Sequence, residues 1–123
     1  MRKLTDHIVE NDSVNHQIMI DVTDEPGAGG ANHGYMISWP SSGPANTCFV
    51  PFQKGTVKEA GVNGVTNEAL LAIVIDRLRS FQAGPFACEE NALSLNHCEK
   101  ALMWLQRRTR ELIKRDVEGT HQK

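Results

Sequence analysis

The chain is poor in cysteine. Its three thiols, Cys48, Cys88 and Cys98, are odd in number, and no two are closely spaced. A disulfide-framed secreted domain shows an even set, so reduced thiols in a cytoplasm fit better. Cys48 in a strand-like segment and Cys98 on a helical stripe read as small buried apolar side chains. Long apolar runs are absent too. The longest, Ala69 to Ile75, has seven residues, against about 20 for a helix that spans a bilayer, and no membrane partner is expected. The basic Met1-Arg2-Lys3 start is followed by Asp6, His7, Glu10 and Asp12 where a signal peptide needs apolar residues, so no signal peptide is expected. There is no excess of positive charge. The net charge of −2 gives no whole-chain field for DNA or RNA.

Catalytic motifs are missing as well. There is no Gly-x-Ser-x-Gly elbow. The histidines at 7, 16, 33, 97 and 121 form no His-Glu-x-x-His, and the cysteines form no Cys-x-x-Cys. Neither a metal, nor a cofactor, nor an enzyme is expected. Glu89-Glu90 suits the positive end of a helix better than it suits an acid/base pair.

With 40% apolar and 23% charged residues, the composition is globular. The length of 123 residues is that of one ordinary domain. The pattern predicts an α+β fold in a single domain, 1–123. A small, mainly antiparallel sheet would occupy about 14–65, a hairpin of two long helices 66–116, and a tail 117–123. The first ten or so residues read as a loose polar lead-in. Strands are predicted at 16–22, 34–39, 47–53 and 56–60. Pro51 makes the third an edge strand or bulges it, Lys54-Gly55 turns into the fourth, and Asn63-Gly64 marks a tight turn. There are no helix crossovers between these strands, so a doubly wound fold is not expected.

At Thr66 the period changes. Thr66 or Asn67 can cap a helix that Glu68 favours through the helix dipole. Leu70, Leu71, Val74, Leu78 and Phe81 share one face, and Ile73 and Ile75 widen it. Gly84 ends this helix and Pro85 can open the next. In the second helix, about 85–115, Leu95, Cys98, Leu102, Leu105, Thr109 and Leu112 form a heptad-like seam. At about 1.5 Å per residue it is roughly 45 Å long against roughly 25 Å for the first. Its C-terminal third should overhang, and Leu112 and Ile113 there need a cover from the sheet or from another subunit.

Four features carry candidate chemistry. Gly27-Ala28-Gly29-Gly30-Ala31-Asn32 resembles a phosphate loop, but it has Asn32 where the dinucleotide fingerprint has glycine, and a strand follows it. A flexible hairpin loop is favoured, although exposed N–H groups there could hold an anion. Phe81 and Phe86 flank the hairpin turn, where each can close the tip or stack on a base. Asn91 lies early in the second helix, and its amide can pair with an adenine edge. Arg107, Arg108, Arg110, Lys114 and Arg115 crowd into nine residues. Lys114 and Arg115 complement a helix C-terminus. Arg107 and Arg108 lie two turns earlier, and arginine forks suit phosphate. Together these residues suit a small, doubly phosphorylated nucleotide.

Several stretches carry a family resemblance: Phe52-Gln53-Lys54-Gly55, Glu59-Ala60-Gly61-Val62-Asn63-Gly64, Asn67 through Leu78, Phe81-Gln82-Ala83-Gly84, Phe86-Ala87-Cys88, Glu90-Asn91-Ala92-Leu93, Ala101 through Leu105, Arg108-Thr109 and Val117 through His121. The chain resembles phage proteins with the hairpin domain shared by anti-Thoeris and anti-CBASS sponges. Asp24-Glu25-Pro26-Gly27 and Gly30-Ala31-Asn32-His33 are similar to the anti-Thoeris branch. The resemblance implies a phage- or prophage-encoded protein of the host cytoplasm that sequesters cyclic ADP-ribose isomers (gcADPR) made by bacterial TIR enzymes, without cleaving them. Some such proteins also hold cyclic di- or trinucleotides at a separate site. They are homo-oligomers, dimers that in some cases build hexamers. The implied ligand contacts are Phe81, Asn91, Arg108 and Arg115. Phe86, Arg107, Asn32 and His33 complete the candidate set. Leu112 stands where the family often has Arg, which removes a phosphate contact, and Asp116 stands where it often has Gly, which adds a negative charge beside Arg115. The competing functions are a hydrolase of the same signal, a DNA-binding phage regulator and a structural phage protein.

Overall fold

A computed structural model describes residues 1–117 of the chain. The expected tail lies outside the described residues, apart from Val117, which closes the last helix. The fold is α+β, an antiparallel sheet followed by long helices, and the chain divides into two compact units, Met1–Val65 and the part from Thr66 onward.

The first unit is a four-stranded antiparallel sheet in simple order: β1 (Arg2–Leu4), β2 (Met19–Val22), β3 (Gly34–Trp39) and β4 (Asn46–Pro51). The alternating pattern puts Val22, Tyr35 and Val50 side by side on one face, next to Ile20, Ile37 and Cys48. Val22 is its fully buried member, 1% exposed. The Tyr35 ring meets Phe52 edge to face at 5.5 Å. β4 is an outer strand, as Pro51 predicts. The Phe52 N–H donates inward to His33, so the neighbouring Pro51 faces outward, where a missing donor costs no ladder bond.

The sheet departs from expectation in several places. The polar start is not loose. Arg2–Leu4 adds a strand through cross-strand pairs, with Lys3 in a 2.7 Å ion pair to Asp21. His16-Gln17 belongs to a 3₁₀ turn, Asn15–Gln17, in which the Asp12 carboxylate accepts the Val14 N–H at 2.8 Å. The segment 56–60 is no strand. Thr56 caps a short helix α1 (Val57–Ala60), accepting the Glu59 N–H at 3.3 Å. Lys, Glu and Ala are weak strand formers, and Gly55 and Gly61, at φ 83° and 71°, bracket the turn. Cys48 is exposed, not buried, because among the described residues no strand pairs with the outer side of β4 at this position.

Two devices fix the loops of this unit. The Gln53 side chain holds the Asn63 backbone, and the Asn63 side chain holds that of Lys54. The Asn63 N–H donates to Gln53 Oε1 at 3.0 Å, and the Lys54 N–H donates to Asn63 Oδ1 at 2.8 Å. Gly64 then lies against Phe52 and Gln53, where a Cβ would meet the Phe52 carbonyl oxygen at 2.6 Å and the Gln53 nitrogen at 2.7 Å. Glycine is needed here for close approach, not for a positive φ. The second device is Asp24, whose carboxylate accepts the N–H of His33 at 2.9 Å and that of Gly34 at 3.2 Å. These bonds, that to His33 first, hold its pKa below the ordinary carboxylate value.

In the second unit, α2 (Asn67–Gln82) starts at Thr66, whose hydroxyl accepts the Ala69 N–H at 3.1 Å. Pro85 does not open the next helix. The Gln82 side chain accepts the Cys88 N–H at 3.1 Å across the turn, and α3 (Glu89–Val117) begins with Glu89 and Glu90 in its first turn, where carboxylates suit the dipole. α3 shows its predicted seam. Leu95, Cys98, Leu102, Leu105, Thr109 and Leu112 are its half-buried line. On α2 the line is Leu71, Ile75, Leu78 and Gln82, centred on Ile75 at 3% exposed. Leu70, Ile73, Val74 and Phe81 form a second, exposed stripe. Arg79 to Glu99 at 2.8 Å and Thr109 Oγ1 to Glu68 at 3.0 Å set an antiparallel register. From this register, α3 overhangs α2 beyond about Thr109 by only about 10 Å, shorter than a third of the helix.

Gly64→Ala is expected to cost roughly 1–3 kcal/mol in urea unfolding, as overpacking does. Gly43→Ala, a site with open space around it, should change nothing. The depressed Asp24 pKa makes its contribution to stability full above the ordinary carboxylate pKa of about 3.9 and lost as pH falls through the lower folded value. Urea midpoints across about pH 6 to 3 should therefore fall less steeply in Asp24→Asn than in the parent chain.

Candidate functional site

The turn end of the hairpin carries a concave surface. Two adjoining cavities of about 440 Å³ and about 420 Å³ share Arg77, Phe81 and Phe86. The first also takes in Asp76, Ser80 and the Gly84-Pro85 turn, the second Val74, Leu78 and Asn91. Helical spacing produces this grouping, since Arg77 and Phe81 are one turn apart on α2. The Arg77 guanidinium lies 5.6 Å from the centre of the Phe81 ring. Phe86, beyond the turn, is 74% exposed. The site therefore offers two aromatic rings, a guanidinium, an amide and, at its edge, the Asp76 carboxylate and the Ser80 hydroxyl. That set can stack a base, hold a phosphate oxygen and hydrogen-bond sugar hydroxyls.

Phe81, Phe86 and Asn91 are brought together; the arginines are not. By the register of Arg79 with Glu99 and of Glu68 with Thr109, Arg108 lies level with the start of α2, about 18 Å along the hairpin from Phe81. No arginine side chain bridges that distance. Arg107, Arg108 and Arg115 are all exposed. Arg107 sits 5.3 Å from the centre of the Trp104 ring, which is 66% exposed. Arg77 and Asp76 are site residues that the sequence pattern did not single out. The signal for Arg77 was its i, i+4 spacing to Phe81.

Asn32 and His33 lie in the first unit, in the loop before β3. Both ends of the Asn32 amide are engaged there: Oδ1 accepts from Arg2 at 2.8 Å, and Nδ2 donates to the Asp24 main-chain oxygen at 2.7 Å. His33 Nδ1 is buried without a hydrogen-bond partner among the described residues. The glycine loop closes on itself, with the Gly27 N–H donating to Ala31 and the Gly30 N–H to Gly27. Two of the amides that an anion site could use are thereby turned inward. Among the described residues, no group of His, Cys, Asp or Glu is arranged to hold a metal ion, and no helix is long and apolar enough to cross a membrane.

Residues 46–110 match the family model described as Acb2/Tad1, hairpin domain. A stretch of 74 residues, 60% of the chain, is 55% identical to a protein of Bacillus phage SBSphiJ7 named Thoeris anti-defense 1. The match spans about half, 52%, of that relative's own length. The matched model runs from β4 through both faces of the hairpin, including the turn that groups Phe81, Phe86 and Asn91. The chain belongs to the Acb2/Tad1 hairpin-domain family.

Proposed function

We propose that this protein is a phage anti-Thoeris sponge. It binds cyclic ADP-ribose isomers (gcADPR) and holds them intact, in a pocket that two copies of the chain complete. The observation that carries this reading is the separation within one chain between Phe81, Phe86 and Asn91 at the turn and Arg108 about 18 Å away. The turn of one hairpin offers surfaces for the base and sugars and one guanidinium, Arg77; the clustered arginines stand at its other end. A second hairpin laid antiparallel brings its Arg108 to the first chain's turn, and two-fold symmetry makes two such sites.

The exposed stripe Leu70, Ile73, Val74 and Phe81 on α2 supplies the apolar surface for that pairing. Each such side chain contributes about 1.5–3 kcal/mol when fully buried. Enclosure also matters for affinity. A sponge that competes with a nanomolar receptor needs about 12 kcal/mol per site, and an arginine open to water contributes little of that. The relative named Thoeris anti-defense 1 supports the anti-Thoeris role. The exposed Trp104–Arg107 pair is the candidate for the separate cyclic di- or trinucleotide site. Assembly beyond the dimer, to a hexamer, would use apolar surface that the first pairing leaves open.

Isothermal titration with the cyclic ADP-ribose isomers should give tight binding to at least one, and chromatography after denaturation should return the ligand intact. Phe81→Ala and Arg108→Ala should each weaken binding by about 10- to 100-fold. Co-expressed at equal amounts, the two variants should regain roughly a quarter of the sites, since half of the dimers pair one of each and each of these holds one intact site. No heat with any isomer would sink the proposal, and a cleaved product would make the protein a hydrolase.

A further inference from the structure

We propose that β4 is a docking edge for the β4 of a second copy of this chain, the two strands pairing antiparallel about a two-fold axis through Cys48. This interface is independent of what the hairpin binds.

The backbone fixes which groups are available. The Phe52 N–H donates inward to the His33 carbonyl, so strand alternation turns the N–H and C=O of Asn46, Cys48 and Val50 toward β3 and those of Thr47 and Phe49 outward. The next outward groups are already taken: the Pro51 carbonyl accepts the Val65 N–H, and the Gln53 N–H donates to the Val65 carbonyl, each at 2.8 Å. The open length of the edge is therefore Thr47 to Phe49.

The two outer strands of the sheet differ in their protection. β1 has three residues, two of them Arg2 and Lys3, and short charged edges resist pairing. β4 has six residues and no charge. Around it, the whole stretch from Pro26 to Gln53 contains no Lys, Arg, Asp or Glu. Phe49 is 52% exposed and Cys48 is exposed.

A second copy fits this edge better than an unrelated strand because of symmetry. Near a two-fold axis each residue meets itself or a close neighbour, so any charge there would oppose its own sign. β4 has none. With the axis at Cys48, Thr47 of each strand faces Phe49 of the other, and each such pair exchanges both N–H···O=C bonds. The two Cys48 residues form a non-hydrogen-bonded pair with Cα atoms about 4.5 Å apart, inside the span that a disulfide bridges.

That juxtaposition supplies the test. A full-length chain carrying Cys88→Ser and Cys98→Ser, held at about 1 µM with diamide, should form a covalent dimer at least about tenfold faster than one that retains only Cys88, because opposed thiols react at an effective concentration near millimolar. Phe49→Pro removes an outward N–H and leaves the ladder to β3 intact. Its mass by light scattering should fall to half that of Phe49→Ala, which keeps the N–H, where the assembly is a tetramer, and to a third where it is a hexamer. Cross-linking through Cys48 no faster than through Cys88, or a folded Phe49→Pro chain with undiminished mass, overturns the proposal. Where circular dichroism shows Phe49→Pro to be unfolded, the cross-linking rate alone decides.

Discussion

A two-helix hairpin can bury only one stripe of each helix, and this constraint shapes the second unit. The stripe is the seam of Leu71, Ile75 and Leu78 on α2 against the Leu95-to-Leu112 line on α3. It leaves Ile75 as the one fully buried apolar side chain of the hairpin among the described residues, as Val22 is in the sheet. A single buried apolar side chain per unit, among the described residues, is a thin core for a folded domain. The apolar surface that remains is patterned and not scattered. Leu70, Ile73, Val74 and Phe81 lie along one side of α2, and a stripe of that length on a small protein marks a contact surface.

In the proposed two-chain arrangement, the same constraint is what would divide the site between chains. Chemistry grouped at a turn and chemistry carried near the end of a long helix stay apart when the helices pack antiparallel. α3, with 29 residues against 16 in α2, carries its arginines toward the end opposite the turn. Bringing the two halves together takes a second hairpin running the other way. The unmatched helix lengths then become useful, because the overhang reaches the neighbour.

Much of this was legible in the residues. The α3 seam was readable because its heptad spacing runs unbroken from Leu95 to Leu112, and the start of α2 because Thr66 is a strong cap. The α2 stripe was harder. With Ile73, Val74 and Ile75 in succession, periodicity alone could not choose between the stripe that meets α3 and the one that remains exposed. Local signals also failed where tertiary contacts decide. Gly64 reads as a turn glycine and is in fact a packing glycine against Phe52. Val57–Ala60 reads as a strand until the cap by Thr56 is seen. β1 is invisible to pattern, since Arg2 and Lys3 are held by pairing with β2 and not by burial. At the turn, residue type and place single out Phe81, Phe86 and Asn91, which line one cavity there, while Arg77 beside them shows only through its cation–π contact with Phe81.

A pocket shared between chains links ligand binding to assembly. In the proposed arrangement each bound nucleotide touches both copies, so the ligand stabilises the dimer by the free energy with which it prefers the dimer to the separate chains, and the dimer raises the apparent affinity in return. At low chain concentration the sponge would bind weakly because half-sites are open to water. As the chain accumulates, sites close and each captured ligand draws in further chains. A sheet edge that pairs with its own copy strengthens this coupling by holding chains together through backbone bonds that do not involve the ligand. Two different two-fold interfaces on one chain, as proposed along the hairpin and along β4, are also one route to a closed assembly larger than a dimer.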